Sequence, residues 1–349
     1  MKLRTDTITR RDALHLAGMG VAGFATTNLT PLALAQTPGR IDVHHHWHPP
    51  PITTAFRGVS IGAAWPGGEW KPERALSLMD RFEIQIGLLS VRNPREREVS
   101  SELCRVVNEA AAELVQSYPT RFGALAMVPQ YDAEASVDEA IYALDTLGLD
   151  GMSLNPSVDN VYLGPPELEP LMEELDRRNT VVLIHPTSPF YFNELNLDFQ
   201  SSVIEYVFET TRAILNLITS GNIERHPNIR FITAHAGGAA PYIAARLDDQ
   251  AIRNTPEVLE RAPKGILHYM KTLYYGTAQS ASPYSLAALL KLVDSTKVIF
   301  GTDLPISSPS LVSQSDTVLQ NSPQLSPEDI VLIERDNAAR LFPRLRQNQ

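Results

Sequence analysis

From Ile41 onward, short apolar runs alternate with stretches whose apolar residues recur at helical spacing. Eight runs read as strands: IDVHHH (41–46), IQIGLLSV (84–91), FGALAMVP (122–129), GMSLNP (151–156), TVVLIHP (180–186), IRFITAH (229–235), LYYGTA (273–278) and KVIFGTD (297–303). The helical stretches between and after them begin near Glu73, Val99, Ala135, Glu167, Ser202, Ala239, Tyr284 and Leu311. A last helix starts after Ser326-Pro327 and runs through VLIERDNAARLF, interrupted near Arg335-Asp336. This alternation predicts a parallel sheet with helical crossovers. Eight strands in roughly 300 residues predict a closed (β/α)₈ barrel. A doubly wound open sheet would put a Gly-rich phosphate loop after its first strand. Here the first strand ends in three histidines, and the chain has neither a Walker sequence nor a GxGxxG.

Two segments fall outside the pattern. Residues 1–35 carry paired Arg10 and Arg11, a weakly apolar Gly- and Ala-rich stretch, and the small-residue pattern Ala33-Leu34-Ala35. That layout predicts a cleaved twin-arginine export signal, hence the Tat machinery as a partner and a periplasmic or otherwise exported location. Residues 36–349 then form a single barrel domain. Residues 48–72 are rich in Pro and Gly and read as a long loop after strand 1, on the active-site face of a barrel. Its Trp65 and Trp70 either line the pocket or pack the loop down.

Composition adds little. The 349 residues are 43% hydrophobic, enough for a large core. Thirty basic and 40 acidic residues give a net charge of −10, with no basic cluster, which excludes a nucleic-acid partner. The single cysteine, Cys104, cannot close an internal disulfide and sits among apolar neighbours on a helix, where it reads as a packed small hydrophobe.

Chemistry gathers at the strand ends. Side chains alternate across a strand, so His44 and His46 share one face while His45 turns away to pack or hydrogen-bond outside. His185 and His235 each follow an apolar run, and Asp303 ends the eighth strand. Any one of them reads equally well as a satisfied core residue. Together they stand at ends that all open on one face of a barrel. Three imidazoles and a carboxylate suit a divalent metal ion such as Zn²⁺, with Mn²⁺ the alternative. His48 lies in the loop, His226 precedes strand 6 on the opposite face, and His268 reads as a surface or packing residue.

IDVHHHWHP, VVLIHPTSP, NIRFITAHAGG, VIFGTDLP and the DNAARLFP ending resemble the amidohydrolase superfamily. More closely, they resemble its metal-dependent decarboxylase branch, which includes the 6-methylsalicylate, γ-resorcylate and aminocarboxymuconate-semialdehyde decarboxylases. The resemblance runs from about Arg40 to Phe342. It implies that His44, His46, His185 and Asp303 hold the metal and that Asp303 is also the acid/base. It places His235 beside the substrate, and it implies a homodimer. Two-metal amidohydrolases commonly bridge their ions with a modified lysine at the end of strand 4. GMSLNPS has none, so one ion is expected.

The implied reaction is nonoxidative decarboxylation of a (hydroxy)aromatic or related unsaturated carboxylic acid. Asp303 delivers a proton to the ring carbon bearing the carboxylate, and His235 binds or assists. Arg57, by its place in the strand-1 loop, either pairs with a substrate anion or is a solvated loop arginine. A rival assigns the same residues to hydrolysis of an ester, lactone or amide, with Asp303 as general base and His235 steadying the oxyanion. A third reading, a noncatalytic exported binding protein, predicts a missing ligand, and none is missing.

Overall fold

The computed structural model describes residues 39–49, 70–92 and 99–346. The expected export segment, Arg57, Trp65 and most of the loop after the first strand lie outside the described residues. All eight expected strands form: β1 (Arg40–His46), β2 (Ile84–Ser90), β3 (Phe122–Ala126), β4 (Gly151–Leu154), β5 (Val181–Ile184), β6 (Arg230–Thr233), β7 (Tyr274–Gly276) and β8 (Val298–Ile299). Each pairs parallel with the next in chain order. The eighth is shorter than the apolar run KVIFGTD suggests. Its continuation still closes the barrel, with Val43 N–H donating to Phe300 O (3.1 Å), Asp303 N–H to His44 O (2.8 Å) and His46 N–H to Leu304 O (2.6 Å).

The crossovers are α1 (Pro72–Arg81), α2 (Ser101–Ser117), α3 (Ala133–Ile141), α4 (Glu169–Arg177), α5 (Glu205–Thr219), α6 (Ala240–Asn254) and α7 (Pro283–Leu292), with α8 (Pro309–Gln320) after the last strand. Several starts are written locally. Ser282-Pro283, Ser308-Pro309 and Ser326-Pro327 each place a hydroxyl that accepts from a first-turn N–H, followed by a proline in the first helical turn. Proline there forfeits no hydrogen bond and has its φ already set. The expected interruption of the last helix is a π-turn, Leu332–Asp336, with helical backbone on both sides.

Period-two alternation sorts the strands into two cores. Leu89, Val91, Ala124, Val182, Ile184 and Phe231 pack outward in the larger, helix-facing cluster. Ile41, Val43, Ile86, Leu88, Leu125, Val181, Leu183, Ile232 and Ile299 fill the barrel interior. Leu341, Phe342 and Leu345 join that inner cluster, so the end of the chain forms the barrel's floor. Arg344 fastens it through paired bonds to Asp150 (2.8 and 2.6 Å). Cys104 is fully buried, and burial pushes its thiol pKa up, as a packed cysteine requires. Trp70 packs on Trp47 and Phe122, which settles its role as packing.

One buried carboxylate ties the two ends of the sheet together. Asp42 has no exposed surface. Its Oδ1 accepts from His44 N–H and Thr302 N–H, both at 3.0 Å. Its Oδ2 accepts from the Thr302 hydroxyl and from His45 Nδ1 at 3.1 Å. His45 does turn away from His44 and His46, as alternation requires. It is fully buried there, hydrogen-bonded to this carboxylate. Replacing Asp42 with alanine strands these donors in the interior. Urea unfolding of Asp42→Ala should show a loss of about 3–5 kcal/mol, and a loss under about 1 kcal/mol would show that the seam closes without it.

Candidate metal centre

His44 and His46 reach the barrel mouth from the end of β1, where pairing with β2 is irregular between Asp42 and His45. That irregularity lets Val43 face the inner core while His44 and His46, three positions later at most, share the mouth. His185 stands one residue past β5, its N–H held by Leu154 O at 3.0 Å. Asp303 lies four residues past β8 on left-handed backbone (φ 62°). All four side chains are buried. One donor atom from each lies within 4.8 Å of every other. His226 pairs with Glu169 on the far side at 2.8 Å, and His268 is exposed. Neither these nor His48 joins the cluster.

The contacts fit a cation. His46 Nε2 lies 3.1 Å from His44 Nε2, 3.1 Å from His185 Nε2 and 2.9 Å from Asp303 Oδ1. His44 Nε2 lies 3.3 Å from the same Oδ1. A ring nitrogen carries at most one hydrogen. His46 uses its hydrogen elsewhere, since Nδ1–H faces the Ser90 carbonyl at 3.2 Å. Its Nε2 lone pair therefore points at two further basic nitrogens and an anion. Such a convergence is repulsive unless a positive ion sits among the four donors. A hydrogen bond that fixes the tautomer of a ligating histidine is a common support for a metal. Three imidazoles and one carboxylate make this a divalent-metal site, suited to Zn²⁺ or Mn²⁺.

Electrostatics agree with the donor roles. Burial holds His46 below its usual pKa and, with the neighbouring imidazoles, pushes His185 well below, so both are neutral ligands near pH 7. Burial would raise Asp303, but its contacts with His44 and His46 outweigh that and hold it well below the usual carboxylate range. Asp303 therefore rests ionised. The Gln279 amide donates to its other oxygen, Oδ2, and so fixes which oxygen faces the histidines.

His235 lies beside this set, its ring centroid 5.3 Å from that of His44 and 6.0 Å from that of His185. It opens four consecutive residues with positive φ, His235, Ala236, Gly237 and Gly238. Gly238 cannot be replaced, because a Cβ there would meet Val207 O at 1.9 Å. The HAGG sequence is thus a tight left-handed turn that swings His235 over the mouth. Burial, then the neighbouring His44, lowers the His235 pKa to about 4, so the ring is neutral at pH 7.

Sequence reasoning missed Asp42, Gln279 and Arg92. Asp42 carried a usable signal, as a charge inside an apolar strand. Gln279 carried none, since an amide in a loop is ordinary.

Two outcomes are expected. Gln279→Leu should keep the fold and weaken metal affinity by roughly tenfold, read by competition with a chelator; unchanged affinity would make the amide incidental. The second concerns pH. His46, His185 and His235 bind protons less readily folded than unfolded. Between pH 6.5 and about 4 the unfolded chain therefore holds more protons, and stability falls as pH falls. The metal-free protein should melt roughly 5 °C lower at pH 5.5 than at pH 7. A flat melting profile would show that these rings are not neutral in the fold.

Comparison with known proteins places this geometry. The amidohydrolase family model matches residues 41–344. The chain is 33% identical to the decarboxylase yanB of Aspergillus niger over 324 residues, covering 87% of this chain and 88% of that protein. It is 31% identical to the 6-methylsalicylic acid decarboxylase of Penicillium expansum, covering 88% and 97%. Its fold superimposes on the crystal structure of a dihydroxybenzoic acid decarboxylase from Polaromonas with bound manganese (TM-score 0.75, 23% identity, 88% and 97% covered). The match spans the whole barrel, from β1 to the residues that form its floor, and the chain belongs to the amidohydrolase family.

Proposed function

We propose that this protein is a metal-dependent carboxy-lyase that removes CO₂, without an oxidant, from a hydroxyaromatic or related unsaturated carboxylic acid. The observation that carries the reading is the complete three-histidine, one-aspartate cluster in a chain that aligns along 88% of a protein named as a decarboxylase. A divalent ion held by His44, His46, His185 and Asp303 supplies positive charge that stabilises the substrate's oxygens.

The chain's own groups then divide the work. Asp303 rests as a carboxylate, so it must first collect the proton that it delivers. An ortho hydroxyl of the substrate is a suitable source. Asp303 passes that proton to the ring carbon bearing the carboxylate, and the ring briefly loses aromaticity. The bond to the carboxylate breaks, its electron pair returns to the ring, CO₂ leaves, and the product phenolate takes a proton from solvent. His235, neutral and buried, donates a hydrogen bond to a substrate oxygen and does not itself titrate near neutral pH. Gln279 keeps the Asp303 carboxylate in one orientation throughout.

One observation favours a second reading. An ionised Asp303 is already suited to act as general base, taking a proton from a water that attacks an ester, lactone or amide. Export by the twin-arginine route rests on Arg10, Arg11 and the Ala33-Leu34-Ala35 pattern, and with it we propose a periplasmic location. A homodimer rests on the resemblance alone.

The metal-loaded mature chain should be incubated with hydroxylated aromatic acids and with matched esters and lactones. Release of CO₂ from a free acid, reduced at least about 1,000-fold by Asp303→Asn, is expected. Hydration of an ester or lactone with every acid untouched would replace the lyase by the hydrolase.

A further inference from the structure

The strand-end logic that places the metal ligands also places a cation. Along the end of β2, Leu89 and Val91 pack outward in the helix-facing core, while Leu88 belongs to the barrel interior. Ser90 shares the parity of Leu88, and Arg92 lies two residues beyond the end of the strand. Ser90 is the residue whose carbonyl orients His46. Arg92 follows Ser90, the strand partner of His46, at the same end of β2. It is only partly buried and so open to an incoming molecule.

Arg92 is also uncommitted. Among the described residues its one hydrogen-bond partner is the Tyr206 hydroxyl, at 2.7 Å, and no carboxylate of those residues pairs with it. Tyr206 stands in the first turn of α5. The bond fixes the plane of the guanidinium and occupies one of its five donors. Several arginines elsewhere in the fold are placed differently. Arg105, Arg121, Arg178, Arg225 and Arg344 all lie against carboxylates. A guanidinium at this end of the barrel that pairs with no carboxylate of the described residues has donors to offer an incoming anion.

The charges say what kind. A divalent ion set against the single Asp303 carboxylate leaves one positive charge in excess, and Arg92 adds another. The molecule that this field favours brings a carboxylate together with a second oxygen able to lose its proton. We propose that Arg92, oriented by Tyr206, is the anchor for the substrate's carboxylate, and that it selects free acids over neutral esters and amides of the same ring. The assignment rests on the carboxylic-acid reading above and names the residue that enforces it. The anchor acts alike on bound substrate and on the ring-protonated species, so it should govern KM more than kcat.

The test uses the metal-loaded mature protein and a matched pair of probes, salicylate and salicylamide, which differ in the negative charge of the carboxyl group. Calorimetric titration of Arg92→Gln should show salicylate binding weakened roughly 30- to 100-fold and salicylamide changed less than about twofold, with metal content and melting temperature as in the wild type. Arg92→Lys should fall between the two, and Tyr206→Phe should lose about threefold to tenfold for salicylate alone; these carry the test if Arg92→Gln does not fold. Unchanged salicylate affinity, or equal weakening of both probes, overturns the anchor while leaving CO₂ release by the wild type intact. A wild type that releases CO₂ from no acid and binds no salicylate removes the lyase reading itself, and the anchor falls with it.

Discussion

The molecule depends on one buried charge. Asp42 sits at zero exposure, where an unpaired carboxylate is costly by several kcal/mol. Donors from both ends of the barrel domain offset that cost: His44 and His45 beside it in sequence, and Thr302, 260 residues away. Satisfying this carboxylate brings the first and last strands into register. That register decides whether His44 and His46 meet Asp303 at all. Fold closure and site assembly are therefore the same event, and the hydrogen bond from Asp303 N–H to His44 O is its nearest trace.

Around that seam the mouth is layered. Nearest the sheet lie groups that orient other groups: the Ser90 carbonyl under His46 and the Gln279 amide on Asp303. Above them stand the donors that hold a cation. At the rim are His235 on its left-handed turn and Arg92 against Tyr206. Burial keeps His46 and His185 neutral, while hydrogen-bond contacts with His44 and His46 keep the Asp303 carboxylate charged. Each effect suits a ligand. An imidazole must offer a lone pair, and a carboxylate its charge.

Much of this is legible in the sequence, for identifiable reasons. Strand positions are readable because parallel strands are buried on both faces and appear as short apolar runs. The metal ligands are readable because a barrel sends every strand's end to one face, so His44, His46, His185 and Asp303 can be summed without knowing distances. What escapes is whatever depends on backbone departures from the ideal. The eighth strand stops at Ile299, and Asp303 is delivered by left-handed backbone instead. The partner of His45 is not legible until Asp42, three residues earlier on the same strand, is seen buried against Thr302 across the seam. Arg92 obeys the same strand-end rule as His185, yet an arginine in a run of charges, VRNPRERE, passes for a solvated one.

The floor of the barrel has a consequence for how the molecule comes into being. Leu341, Phe342 and Leu345 complete the inner core begun by Ile41 and Val43. Residues from the far end of the barrel domain are thus needed to seal a core that its first strand begins. A nascent chain that lacks them has its inner strands open to water from below. The metal cage, which needs Asp303 beside His44, likewise cannot be completed until the chain has been made through the eighth strand and the residues that follow it.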